Sequence, residues 1–327
     1  MNNTCTIIAY HYVRDLPQTD YPDIKGLLIS EFEEQLDYLS KYYTFITIED
    51  CMASVYDKIA LPSNSVLLTF DDGYVDHYDT VFPILQKQGI QGCFFPPGKA
   101  IVENEILDVN KIHFILASFK DKKSLVNVIF SQLDHYRLAF NLESNEHYYS
   151  KLAKKGRFDS KEIMFVKRLL QVDLDEELRT MIINNIFTKY VTSDTKEFSK
   201  NLYMSIENIK EMQKNGMFIG SHGYNHYWLD SLSSEDQENE IDKSLDFLSQ
   251  ITDLDEGWVM CYPYGAYDNS LINILKEKGC KLAFTTKGNL SKLSESECFE
   301  IERLDTNDIP KVHNAEPNFW TKKIIDR

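Results

Sequence analysis

Val66-Leu67-Leu68-Thr69-Phe70-Asp71-Asp72-Gly73-Tyr74 is an apolar run that ends abruptly in two adjacent carboxylates and a glycine. The run is continuous rather than alternating, which suits a strand buried on both faces. The acids then stand where the strand leaves the core, the end at which open α/β sheets and barrels place their chemistry. Successive strand residues point opposite ways, so Asp71 and Asp72 can take different roles in one pocket. Taken alone, Asp-Asp-Gly reads equally well as a strand followed by an Asp-Gly turn.

Downstream, Val75 to Gln88 carries Tyr78, Val81, Phe82 and Leu85 on one helical stripe, with a bend or a late start expected at Pro83. Gly92-Cys93-Phe94-Phe95-Pro96-Pro97 reads as a second buried strand. Strand, helix and strand within so short a span make a βαβ unit with parallel strands. Upstream, Thr6 to Tyr10 predicts a first strand leading into His11. Ser30 and Glu33 form a capping-box pattern before Phe32, Leu36 and Leu39. Tyr43 to Ile48 is β-rich, and a short helix follows from Glu49.

The texture changes near residue 104. From there to about 203, Gly156 is the only glycine and proline is absent. Helical periodicity dominates, so an all-helical insertion is expected to interrupt one domain spanning 1–327. The α/β pattern resumes with helices capped by Ser205, Ser233 and Asp268. Strands are expected at Met217–Gly220, Trp258–Tyr262 and Lys281–Thr285.

The 327 residues suffice for one large domain or two ordinary ones, and 43% hydrophobic with 26% charged is an ordinary globular composition. Acids outnumber Lys plus Arg by 51 to 35, giving a net charge of −16. That balance argues against nucleic acid as a partner and against an anionic membrane surface. Nineteen Tyr and nineteen Phe suit a large core and a cleft for a ring-shaped ligand. Six cysteines show no CxxC spacing and read as reduced and buried. No stretch reaches the length of a membrane span. The start, Met1-Asn2-Asn3-Thr4, lacks the pattern of a signal peptide. A soluble cytoplasmic protein is expected.

His222-Gly223-Tyr224-Asn225-His226 places two imidazoles four apart directly after a strand. On a helical turn this spacing brings both rings to one side, a geometry for a shared metal, although two surface histidines in a polar loop read as well. Tyr262-Pro263-Tyr264-Gly265 stands at a third strand end.

Together these three clusters resemble the polysaccharide deacetylase family, the NodB-homology group of carbohydrate esterases. Its T-F-D-D-G motif matches Thr69 to Gly73, its H-[ST]-x-x-H motif matches His222 to His226, and its P-Y-G motif matches Pro263 to Gly265. The resemblance implies an α/β fold, a distorted (β/α) barrel with a divalent metal at the strand C-termini. It implies Asp72, His222 and His226 as metal ligands and Asp71 as general base. A backbone contact at Tyr264 would meet the developing oxyanion. One carboxylate and two imidazoles suit Zn2+, with Co2+, Ni2+ or Fe2+ also fitting.

The implied reaction is hydrolysis of an N-acyl group on an amino sugar, a nucleotide sugar or a lipid-linked glycan precursor, within surface-polysaccharide biosynthesis. A sugar O-acetyl esterase and a non-catalytic sugar binder that kept the metal site are the alternatives. The chain departs from the family at Gly223, at Tyr227, and at Cys261, where many members carry an arginine that tethers the base. No L-x-H motif supplies the catalytic acid; His313 stands in a polar tail. His11, Pro263, Arg303 and Asp305 are the remaining expected pocket residues, with Asp76, His77 and His113 as weaker candidates.

Overall fold

A computed structural model describes residues 3–156 and 159–326. Met1 and Asn2, where the reading of the N-terminus begins, lie outside the described residues. The chain divides into two compact units. One comprises Met1–Asp15, Gly26–Glu105 and Ser199–Arg327; the other comprises Leu16–Lys25 and Ile106–Phe198.

The first unit is mixed α/β. Its strands are β1 (Thr4–Tyr10), β2 (Thr44–Phe45), β3 (Ser65–Asp71), β4 (Gly92–Phe95), β5 (Phe218–Ile219), β6 (Trp258–Cys261), β7 (Cys280–Phe284), β8 (Ser291–Lys292) and β9 (Leu304–Asp305). The larger sheet runs β5-β4-β3-β1-β8, with β2 on β3 and β9 on β1; β6 and β7 pair separately. Every pairing is parallel except β1 with β8. The ladders alone leave the barrel open. Two isolated parallel bridges, Ser221 to Met260 and Phe284 to Ile301, join the two edges of the smaller sheet to the chain just after β5 and just before β9. The expected barrel is therefore distorted by two seams one bridge wide.

β3 lies at the centre, and all seven of its residues are buried. Alternation sorts them. Phe70 faces a ring stack, 5.0 Å from Tyr10 and 4.7 Å from Phe94, with Phe32 edge-on at 6.0 Å. Thr69 and Asp71 face the other way, toward Arg303. Burying a ring such as Phe70 contributes about 2–3 kcal/mol, and this fixes the register that brings Asp71 to the strand end.

Local signals place most helices. Ser205, Ser233 and Asp268 each accept a backbone N–H at the start of Ile206–Lys214, Ser234–Leu248 and Asn269–Glu277. The first helix differs from expectation. It spans Ile29–Tyr42 and begins ahead of the Ser30 pattern, because Glu31 reaches back to the Leu28 N–H. After β3, a π-helical turn at His77–Val81 precedes Phe82–Gln88, and Pro83 occupies the first turn of the latter helix, where its missing N–H is harmless. All six cysteines are buried and unpaired.

The second unit is helical, and no strand occurs among its described residues. Helices Asp108–Ser118, Lys122–Tyr136, Asn145–Leu152, Lys161–Arg168 and Glu176–Tyr190 surround a core that includes Leu125, Ile129, Phe165, Ile182 and Phe187. Leu16–Lys25, which reads as a polar loop, joins this unit, where Lys25 and Lys167 both bind Asp159. No helix among the described residues is long and apolar enough to cross a membrane.

Candidate active site

The site collects at the C-terminal ends of the parallel strands. Asp71 is the last residue of β3, and Asp72 leaves the strand with φ 73°. Gly73, Gly223, His226 and Tyr264 also have φ between 58° and 71°. Left-handed backbone is uncommon outside glycine, and its clustering here marks a geometry imposed by the surroundings. The two imidazoles meet through this loop and not, as their spacing suggested, through a helical turn. Their centroids are 4.8 Å apart.

Asp72 stands between the histidines. Its Oδ1 lies 3.4 Å from His222 Nε2 and 3.3 Å from His226 Nε2. All three residues are buried. His222 Nδ1 is 2.7 Å from the Cys261 carbonyl. A carbonyl only accepts, so Nδ1 carries hydrogen, and Nε2 faces the carboxylate as an N–H when the ring is protonated and as a lone pair when it is neutral. In the neutral ring two acceptors face each other, which calls for a positive charge between them, a proton or a cation. Burial disfavours charge on both rings. Asp72 and Cys261 nevertheless raise the His222 pKa well above its ordinary value, while that of His226 is lowered. The donor set Asp72, His222 and His226 has its ligand atoms within 4.8 Å of one another and fits a divalent metal. Tyr74 fixes the second carboxylate oxygen, its hydroxyl donating to Asp72 Oδ2 at 2.5 Å. Burial raises the Tyr74 pKa, so this group stays a phenol and a donor.

Asp71 is held differently. Arg303 donates to Oδ1 at 2.9 Å and to Oδ2 at 2.7 Å. The Cys261 thiol donates to both oxygens at 3.4 Å. Burial alone raises a carboxyl pKa, but Arg303 overcomes it and holds Asp71 well below the usual range. Arg303 is itself fixed by Thr285 O and Thr69 Oγ1. His11 Nε2 lies 3.9 Å from Asp71 Oδ2, with a side chain 48% exposed. His77 anchors that segment, its Nε2 donating to the His11 carbonyl at 2.9 Å.

Asp71, Asp72, His222, His226, His11 and Arg303 thus form one network, and Tyr264 flanks it with its ring 4.7 Å from His226. Arg303 was expected to line the pocket. It is instead 2% exposed, with its guanidinium spent on Asp71, Thr69 and Thr285. Standing just before β9, it supplies the charged tether that the Cys261 thiol, at 3.4 Å from the same oxygens, does not. Pro263 is buried, and a Cβ at Gly223 would come 3.5 Å from its ring. Asp305 is exposed and caps the turn at Thr306–Asp308. Asp76 pairs with Arg14, and His313 with Glu34. Sequence reasoning missed Tyr74 and Trp228. Tyr74 had a signal, standing two residues after Asp72. Trp228 had none; it stacks on Tyr264 at 4.3 Å with the rings 4° from parallel.

The arrangement is a mixed α/β fold with parallel strands that bring a carboxylate–imidazole cluster beside an arginine-tethered acid. The family model for polysaccharide deacetylases matches residues 58–128 and 186–283, more than half of the chain, and the chain belongs to that family. YxkH of Bacillus subtilis (strain 168), which carries the name of a polysaccharide deacetylase, is 39% identical over 74 residues. That match spans 22% of this chain and only 26% of YxkH. Among solved structures, the Streptococcus pyogenes deacetylase PplD in complex with acetate superposes with a TM-score of 0.56 at 15% identity, covering 100% of this chain and 98% of its own. IcaB from Ammonifex degensii gives 0.51 at 19% identity, covering 99% and 97%. At these identities the likeness establishes the shared fold.

Proposed function

We propose that the protein is a metal-dependent deacetylase that hydrolyses an N-acyl group of acetyl type from an amino sugar. The observation that carries this reading is the division of labour between neighbours: Asp72 faces two imidazoles, while Asp71 is turned to Arg303. A binding protein has no use for a second, separately tethered carboxylate.

Asp72, His222 and His226 would hold the metal, with Zn2+ the best match to this donor set and Co2+, Ni2+ or Fe2+ compatible. When bound, the metal supplies Lewis-acid polarisation of the acyl oxygen and an acidified water. Asp71, kept ionised by Arg303, accepts the proton of the attacking water. The backbone N–H at Tyr264 would meet the developing oxyanion. His11 is the acid that the sequence left unassigned. It is half-exposed, so it meets the substrate side of Asp71 and donates a proton to the departing nitrogen. The C–N bond breaks, and the products are the free amine and acetate.

The substrate is an acylated amino sugar, free, nucleotide-linked or lipid-linked. The surface-polysaccharide setting belongs to the same reading and rests on analogy. The test is metal analysis with acetate release from N- and O-acetylated sugars and nucleotide sugars. Release that Asp71→Asn abolishes, with metal retained, supports the reading. Metal retained without release from any N-acetyl substrate overturns it in favour of a binder or an esterase.

A further inference from the structure

Helix Ser234–Leu248 turns one face toward the loop that carries the two histidines. Glu240 on that face is 3% exposed. Its Oε1 accepts from the N–H of Tyr224 at 2.8 Å and of Asn225 at 2.5 Å, and its Oε2 accepts from Asn225 Nδ2 at 2.7 Å. One turn later on the same helix, Ser244 bonds Ser221 at 2.5 Å, and Ser221 Oγ accepts the Gly223 N–H at 3.2 Å. The loop's carbonyls are held from the other side. Gly98 N donates to Gly223 O at 3.1 Å, and Lys99 N donates to Tyr224 O at 2.9 Å. Every backbone donor from 223 to 225 therefore has a fixed acceptor, and the acceptors for two of the three sit on Glu240.

This clamp accounts for Gly223. The residue has φ +71°, and a Cβ there would lie 3.3 Å from Glu240 Oε1. A side chain at 223 and the carboxylate of Glu240 compete for the same space. The chain uses the carboxylate.

We propose that Glu240 is a positioning residue for the metal site, setting the spacing of His222 and His226 through the backbone between them; this rests on the metal-site reading above. The loop contains two left-handed residues flanking Tyr224 and Asn225, a conformation that an unpinned segment leaves readily. Supporting partners of this kind change metal affinity by about ten- to a hundredfold.

The test is Co2+ binding to the full chain, followed by visible absorption and by the rate of metal loss to a chelator. Glu240→Ala should bind Co2+ about ten- to a hundredfold more weakly, with a shifted visible band. Glu240→Gln should restore both, because its amide oxygen serves the two N–H groups while the Asn225 amide turns over to accept from its nitrogen. Glu240→Asp keeps the charge and the helix but withdraws the carboxylate by one methylene. It should weaken binding with the fold intact, which keeps the proposal testable if the alanine variant does not fold. Glu240→Asp and Glu240→Ala binding Co2+ with wild-type affinity and spectrum would overturn the proposal alone. A wild-type protein that takes up no metal would overturn the metal reading and this inference with it.

Discussion

The guanidinium of Arg303 grips both carboxylate oxygens of Asp71, at 2.9 and 2.7 Å, in a place where neither group meets solvent. Removing one partner of such a pair leaves an uncompensated buried charge, which costs about 3–5 kcal/mol. Arg303→Met should therefore lower the denaturation midpoint strongly. Arg303→Lys should lower it less, since a point charge replaces a planar fork.

The same contact sets a pH dependence. With the guanidinium gone, burial loses its largest counterweight, with His222 and His11 left to oppose it, and the Asp71 pKa rises, so the base is protonated at a higher pH. The acidic limb of kcat/KM for Arg303→Met should move upward relative to wild type. Profiles of the two proteins that superpose on the acidic side would mean that Arg303 does not tune the base.

His77 makes a prediction about stability. Its ring is fully buried, and burial holds its pKa down to about 4, against an ordinary 6.5. The unfolded chain therefore binds the proton more readily between these values. Stability is intact above the unfolded pKa and falls as pH drops from about 6.5 toward about 4, by about 3 kcal/mol in all. Urea midpoints at neutral pH and near pH 4.5 check this. His77→Phe should lose less over that interval, and an equal loss in both proteins would remove His77 as the cause.

His11→Gln should retain metal and lose acyl release from N-acetyl sugars by about 10²- to 10⁴-fold. The loss should be smaller for an activated O-acetyl ester, whose leaving group needs no proton. Equal losses on both substrates would argue that His11 positions Asp71 and does not donate a proton.

Tyr74→Phe removes the 2.5 Å hydrogen bond that orients Asp72. Metal affinity should fall by about tenfold, measured by competition with a chelating dye. An unchanged affinity would show that the two imidazoles and the backbone at residue 72 already fix the carboxylate.

Much of this was legible from residues alone. Continuous apolar runs marked β3 and β4 because strands buried on both faces need no alternation. Three strand-end clusters marked the site because parallel strands deliver their ends to one place. Arg303 was read as a pocket residue because its sequence position shows only that it follows a strand; that it points inward at Asp71 depends on the register of β9 against β1. Glu240 was invisible for a related reason. On a helix rich in Asp and Glu, nothing local distinguishes the one carboxylate that faces the loop. The histidine spacing suggested a helix, yet Gly223 and His226 in left-handed conformations build a loop with the same outcome.

The two seams of the barrel carry a further consequence. Asp71 ends β3 of the larger sheet with Asp72 just beyond it, and Cys261 ends β6 of the smaller. His222 follows the seam residue Ser221, and Arg303 follows the seam residue Ile301. β5 and β9 place His222 and Arg303 with β3 in the larger sheet, so a ring opened at the seams would keep both acids with an imidazole and the arginine and would lose Cys261, whose carbonyl fixes His222 Nδ1. Parting of the Ser221–Met260 seam would then leave the acids in place and release the His222 ring to change tautomer, so the smaller sheet acts on that imidazole through one backbone carbonyl.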